Sequence, residues 1–329
     1  MAQTVVVGLG RSGQGAARLL QATGHPVSVI DSGQGEQLEK KAEGLRQQGV
    51  EVQLQAPLAI DSFRPWLDQL QRVVISPGIP WDHPTLDDLR QHGVAVDGEM
   101  AVAWDALKHI PWVGITGTNG KTTVTHLLSH VLCQAGLAAP MGGDMGVSAA
   151  EMALNLQQEH TTAPDWLVME LSSYQIEAAK RIRPRIGIWT TLTPDHLERH
   201  GTVEAYRAIK RGLLERSDHA IFNADDPDLR QQRQSWTGGT WVSAESAQPD
   251  GQPADLWING EGWVCDRSQP LFPAEALAMP GAHNRQNLLL VTAAARQIGP
   301  RPASSEAGLR SFPGVPHRLE PVGRIGNAQ

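Results

Sequence analysis

Apolar residues recur with two different spacings along this chain, and the alternation of those spacings predicts an α/β fold. Short apolar runs that stop at turn residues read as buried strands: residues 5–7 before Gly8, 27–30 ending at Asp31, 50–54, and 73–75 running into Ser76-Pro77-Gly78. Between them, the stretch 16–20 and the spacing of Leu38, Ala42 and Leu45 read as helices. Residues 1–106 are therefore expected to form a Rossmann-like, doubly wound parallel sheet. The alternation resumes over residues 107–312. A buried strand beginning at Trp112 leads through a glycine turn into a helix whose Val124, Leu127, Leu128, Val131, Leu132 and Ala135 form one stripe, which predicts one buried face. Further strands are expected at 167–169, ending in Glu170, and at 186–192, ending near Asp195 and His196. In the helix predicted from Val203, the residues Val203, Tyr206, Ile209, Leu213 and Leu214 form the apolar arc. At about 100° per residue, Lys210 falls inside it.

Length and charge narrow the class. At 329 residues the chain has room for two domains and part of a third, which would start near residue 313. A net charge of −7 with no basic tract argues against nucleic acid or an anionic membrane as partner. Cys133 and Cys265 are far apart and lack metal-type spacing, so a reducing compartment is expected. With no signal peptide or long apolar segment, the expectation is a cytoplasmic protein. The ten tryptophans read as packing residues.

Candidate chemistry lies at the strand ends. The turn Gly117-Thr118-Asn119-Gly120-Lys121-Thr122 is a compact variant of a phosphate loop, with Ile115 where the usual pattern has its first glycine. Its helix would point free N–H groups and a positive dipole end at phosphate, Lys121 would reach the terminal phosphates, and Thr122 would ligate Mg²⁺. Gly8-Leu9-Gly10-Arg11-Ser12-Gly13 matches G-x-G-x-x-G, and Asp31 lies 23 residues after Gly8. That crevice suits NAD or a nucleotide sugar equally. Glu170 and His196, at strand ends on the same edge, could each hold a divalent ion. A bare ammonium on an apolar arc is costly, so Lys210 either snorkels to the surface or is carbamylated by CO₂ into an anionic oxygen ligand that shares a metal with His196.

Six ordered motifs together resemble the Mur ligases. They are the phosphate loop through Thr123, Glu170-Leu171-Ser172-Ser173-Tyr174-Gln175, Asp195-His196-Leu197-Glu198-Arg199-His200, Tyr206-Arg207-Ala208-Ile209-Lys210, Gly281-Ala282-His283-Asn284-Arg285-Gln286-Asn287 and Pro316-His317-Arg318. The first glycine turn and Ser76-Pro77-Gly78 point, within that family, to the activity that adds D-glutamate to UDP-N-acetylmuramoyl-L-alanine. The resemblance implies a monomeric ATP-dependent ligase with two Mg²⁺ sites. It implies that Gly10, Arg11, Ser12, Asp31, Ser32, Ser76, Pro77 and Gly78 line the UDP-sugar site, with Asp144 and Gly146 near the sugar–peptide part. Gly117, Thr118, Asn119, Gly120, Lys121, Thr122 and Thr123 would wrap the ATP phosphates, and Asn284, Asn287 and Arg318 would contact the nucleotide or its hinge. Thr122 with Glu170 would hold one metal, and His196 with carbamylated Lys210 the other; Lys121, Lys210 and His196 would carry the catalysis. Asp144 departs from the asparagine usual at its position. The chain stops near the start of the family's third domain, so residues 1–329 alone are expected to make little or no amide, and residues 312–329 to lack packing partners unless they fold back on the ATPase domain. An NAD(P)-dependent oxidoreductase would account for residues 1–31 but leaves Lys121, Glu170, His196 and Lys210 without a role. A non-catalytic nucleotide-binding module and another UDP-N-acetylmuramoyl-peptide ligase are the remaining alternatives.

Overall fold

The computed structural model describes residues 2–158 and 162–316. His317 and Arg318, and with them part of the hinge and tail expectations, lie outside the described residues. The first sheet comprises β1 (Gln3–Val7), β2 (Val27–Ile30), β3 (Glu51–Gln53), β4 (Leu70–Ile75) and β5 (Ala95–Gly98), with helices α1 (Arg11–Ala22), α2 (Glu36–Arg46), α3 (Pro84–Gln91) and α4 (Glu99–Leu107). Its order is β3-β2-β1-β4-β5, and its pairings are parallel, with Val6 in register with Val29 on one side and Val74 on the other. The unbroken valine and isoleucine runs suit strands covered on both faces. Because β1 sits between β2 and β4, its glycine turn opens at the point where the winding reverses, the usual ligand position in such sheets.

The second sheet contains β6 (Trp112–Thr116), β7 (Met141–Gly143), β8 (Leu167–Glu170), β9 (Ile186–Trp189), β10 (His219–Asn223), β11 (Thr240–Ser243), β12 (Leu256–Ile258), β13 (Trp263–Asp266) and β14 (Gln269–Pro273). Strand order is β14-β13-β12-β11-β10-β9-β6-β8-β7, with the pairings parallel except the antiparallel β12-β13-β14 edge. The helices are α5 (Lys121–Gln134), α6 (Ala149–Gln158), α7 (Ser173–Glu177), α8 (Leu197–His200), α9 (Val203–Glu215), α10 (Pro227–Gln231), α11 (Ala282–Ile298) and α12 (Pro302–Arg310). Here β6 lies between β8 and β9, so the phosphate loop also opens at a reversal of winding. The two sheets share a core: α1, α4 and α6 pack on one another, and Val6, Ala16, Met100, Ala150 and Met169 belong to one buried cluster. Beside it, Arg181 donates to both carboxylate oxygens of Asp97 and to both of Asp105.

Several expectations need correcting. The α5 helix is buried on more than the apolar stripe: Thr122, Thr123, Thr125 and Ser129 are buried as well, because α11 and α12 cover it opposite β6 and β8. The strand expected over 186–192 stops at Trp189, since Thr190 to Thr193 turn away to bond the phosphate loop. By contrast, as far as residue 316 the tail follows the alternative already allowed for it: Phe312 packs against His130 and Val315 is buried, so residues 312–316 fold back on the second sheet's helices. Among the described residues, no helix is long and apolar enough to cross a membrane, and Cys133 and Cys265 are both free.

Candidate functional site

Strand β6 delivers the chain to the loop at residues 117–120, and glycine is required at both its ends. Gly120 has φ +86°, and a Cβ there would stand 2.9 Å from Asn287 Oδ1; Gly117 is also in positive φ, with the Thr190 hydroxyl where a Cβ would be. Sequence reasoning missed what holds this loop. Thr118 N–H donates to Thr191 O at 2.9 Å, Asn119 N–H to Thr191 Oγ1 at 2.9 Å, and Thr118 Oγ1 bonds both the carbonyl and the N–H of Thr193 at 3.0 Å. The Thr190 hydroxyl donates to the Asn119 carbonyl. The one available signal was the run of threonines just before Asp195 and His196. Lys121 Nζ donates to Thr118 O at 3.2 Å, and Thr122 Oγ1 to Glu170 Oε1 at 3.1 Å.

Lys210 does not snorkel. It is 1% exposed, and its Nζ donates to Gly117 O at 3.0 Å and Thr116 Oγ1 at 3.3 Å while lying 4.6 Å from the Tyr206 ring centroid. Burial first, and the Lys121 charge second, push its ammonium down to about 7, against the pull of Asp144 and Asp195. Tyr206 in turn meets Thr118 Oγ1 at 3.3 Å. His200 stacks on Tyr174 and packs against Tyr206, with Nε2 2.9 Å from Ser173 Oγ. Burial, then the charges of Arg199, His196 and Lys210, push His200 down to about 4, leaving a neutral imidazole at pH 7.

Two cavities of about 350 Å³ are present, one against the loop and one where the two sheets meet. One is lined by Asn119, Gly120, Thr123, Asn284, Asn287 and Val315, and adds Thr191, His283 and Gln286, to which sequence reasoning gave no part. The other joins Gly10, Arg11, Ser12, Ser76, Pro77 and Gly78 of the first sheet to Gly143, Asp144, Ser148 and Gln175 of the second. Arg11 Nη1 donates to Gly146 O at 2.8 Å, closing the two halves on each other. Asp31, Ser32 and Gly146 do not line that cavity. The Asp31 carboxylate accepts from Leu9 N–H at 2.6 Å and Gly33 N–H at 2.7 Å, so it holds the glycine turn in shape.

Among the described residues, no group of three or more His, Cys, Asp or Glu side chains is gathered as a metal cage. The donors that do meet, a threonine hydroxyl and a buried carboxylate, suit Mg²⁺, which takes one or two protein oxygens and completes its shell with water and phosphate. His196 is at the N-cap of α8, 3.6 Å from Asp195 Oδ2 and 3.7 Å from Glu198 Oε1. The Tyr206 ring neighbours both His196 and Lys210, with its centroid 6.4 Å from that of the imidazole and 4.6 Å from Lys210 Nζ.

Two family models match the chain, the Mur ligase middle domain over residues 115–295 and the Mur ligase MurD-like N-terminal domain over residues 2–98. The chain is 97% identical over 329 residues to the UDP-N-acetylmuramoylalanine–D-glutamate ligase of Parasynechococcus marenigrum (strain WH8102), covering 100% of itself and 71% of that relative. It is 65% identical over 328 residues to the Synechococcus sp. (strain CC9605) protein of the same name, with 100% and 71% covered. In fold it is similar to the UDP-N-acetylmuramate:L-alanyl-gamma-D-glutamyl-meso-diaminopimelate ligase from Neisseria meningitides, at 20% identity and a TM-score of 0.63, covering 96% of this chain and 99% of that one.

Proposed function

Because the chain belongs to the Mur ligase family, we propose that it is an ATP-dependent ligase joining D-glutamate to UDP-N-acetylmuramoyl-L-alanine in the cytoplasmic synthesis of peptidoglycan precursors. The observation that carries this reading is the phosphate loop against a cavity that ends at Asn284 and Asn287, with a second cavity where the first sheet's glycine turn meets Gly143 and Asp144. Residues 1–106 are assigned to the UDP-sugar and 107–312 to ATP, with a monomer as the working unit.

The loop's N–H groups and Lys121 would bind the phosphates and draw off charge as the L-alanyl carboxylate attacks the γ-phosphorus. An O–P bond forms, the β–γ bridging P–O bond breaks, and ADP leaves an acyl phosphate. The D-glutamate amine then forms the C–N bond, loses a proton and expels phosphate. Thr122 and Glu170 would hold one Mg²⁺, and His196 with Lys210 the second. When bound, magnesium neutralises the phosphoryl oxygens and orients them for in-line transfer. Lys210 supports carbamylation chemically: an amine with its pKa near 7 is partly free base at neutral pH. It can form an N–C bond to CO₂, release a proton and become an anionic oxygen donor. Gly10 to Ser12, Ser76 to Gly78 and Asp144 would seat the UDP-sugar, with Arg11 orienting it against the second sheet.

The test is calorimetric titration with UDP-N-acetylmuramoyl-L-alanine, then mass spectrometry of a mixture with MgATP, D-glutamate and bicarbonate. Binding, with a D-glutamate-dependent gain of one glutamyl residue in any product, is expected. Failure to bind the UDP-sugar, or ligation of another amino acid in preference to D-glutamate, would overturn the assignment.

A further inference from the structure

Glu99 is the first residue of α4 and is 2% exposed. Its Oε1 accepts the Ala150 N–H at 2.5 Å, while its Oε2 is buried without a hydrogen-bond partner. Burial pushes the carboxyl up to about 7. A half-satisfied buried carboxyl is costly, since one oxygen is desolvated without a partner while the other satisfies the Ala150 N–H. Its position suggests what the cost secures. Ala150 and Ser148 stand at the start of α6, directly after the turn that carries Gly143, Asp144 and Gly146. Ser148 lines the UDP-sugar-side cavity with Asp144, and a Cβ on Gly15 of α1 would come within 2.8 Å of its hydroxyl. Glu99 thus ties the wall contributed by the second sheet to the end of the first.

We propose that Glu99 is a positioning residue for the UDP-sugar substrate: by gripping the Ala150 N–H at the start of α6 it fixes the 143–148 turn where that substrate meets both sheets. The inference rests on the reading of the cavity given above. The 329-residue chain is compared with Glu99→Gln, which keeps an acceptor, and Glu99→Leu, which does not. Losing one buried hydrogen bond predicts about tenfold weaker calorimetric binding of UDP-N-acetylmuramoyl-L-alanine by Glu99→Leu. ATP binding should stay within about twofold of wild type, and Glu99→Gln should restore most of the UDP-sugar affinity. Amide exchange of residues 143–150 in the ligand-free protein, read by mass spectrometry, should rise about tenfold in Glu99→Leu and not in Glu99→Gln. Equal weakening for both ligands, or unchanged exchange at 143–150, would overturn the proposal. If wild type itself fails to bind the UDP-sugar, the functional reading falls, and with it the substrate role claimed for Glu99, whatever the exchange data show.

Discussion

Replacing Lys210 by methionine separates the stability of the site from its chemistry. The side chain is 1% exposed, and its pKa falls from 10.5 to about 7. With the folded pKa depressed, the stability linked to this group is full above about pH 10.5 and is lost as pH falls through about 7. At about 1.4 kcal/mol per pKa unit, the loss approaches roughly 4–5 kcal/mol below pH 7, and about 3 kcal/mol of it returns between pH 6.5 and 9.5. Methionine removes this penalty at every pH but leaves the Gly117 carbonyl without its lysine donor, a cost of about 1–2 kcal/mol. The variant should therefore exceed wild type by about 3 kcal/mol at pH 6.5 and roughly match it at pH 9.5. The assay is urea unfolding, followed by tryptophan fluorescence, in CO₂-free buffer with a chelator. Parallel pH dependence in the two proteins would refute the claim that the buried ammonium is the strained group. Adding bicarbonate should stabilise wild type and leave Lys210→Met unchanged.

Gly120→Ala forces a Cβ to 2.9 Å from Asn287 Oδ1 at φ +86°. It should cost about 1–3 kcal/mol and weaken ATP binding about tenfold, and a wild-type melting temperature would count against it. Thr122→Val removes the hydroxyl that donates to Glu170. ATP affinity should then lose its dependence on Mg²⁺, with a stability change of about 1 kcal/mol at most, measured by titration with and without the metal. Arg11→Ala breaks an exposed bond to Gly146 O. The melting temperature should barely move while UDP-sugar binding weakens, and loss of both together would point to a structural role. Glu99→Gln should flatten the stability profile between pH 4.5 and 7. Since the folded pKa is raised, wild type keeps this group's full contribution below pH 4.5 and loses about 3 kcal/mol as pH rises through about 7.

Both glycine turns, the elements that carry them and the edge on which Glu170 and Asp195 would lie were legible from local pattern, because strand and helix periodicities depend on neighbours in sequence. The placement of Lys210 on an apolar arc was legible for the same reason. Helix α9 alone did not say whether the ammonium reached solvent. That was decided by Thr116 and Gly117, more than ninety positions earlier, which offer acceptors inside the fold. Likewise, the G-x-G-x-x-G spacing located Asp31, but only the assembled turn shows its carboxylate engaged by Leu9 and Gly33.

The sequence by itself determined the alternation of strands and helices around the two glycine turns and the chemistry available at those strand ends, since periodicity and turn composition act over a few residues. Only the tertiary structure decided which of those groups are buried, paired and brought together. It covered α5 on more than one face, zipped the phosphate loop to Thr190–193 and set the buried Glu99 carboxyl against the start of α6. These outcomes turn on desolvation and on contacts between residues some fifty or more positions apart, and no local spacing records them.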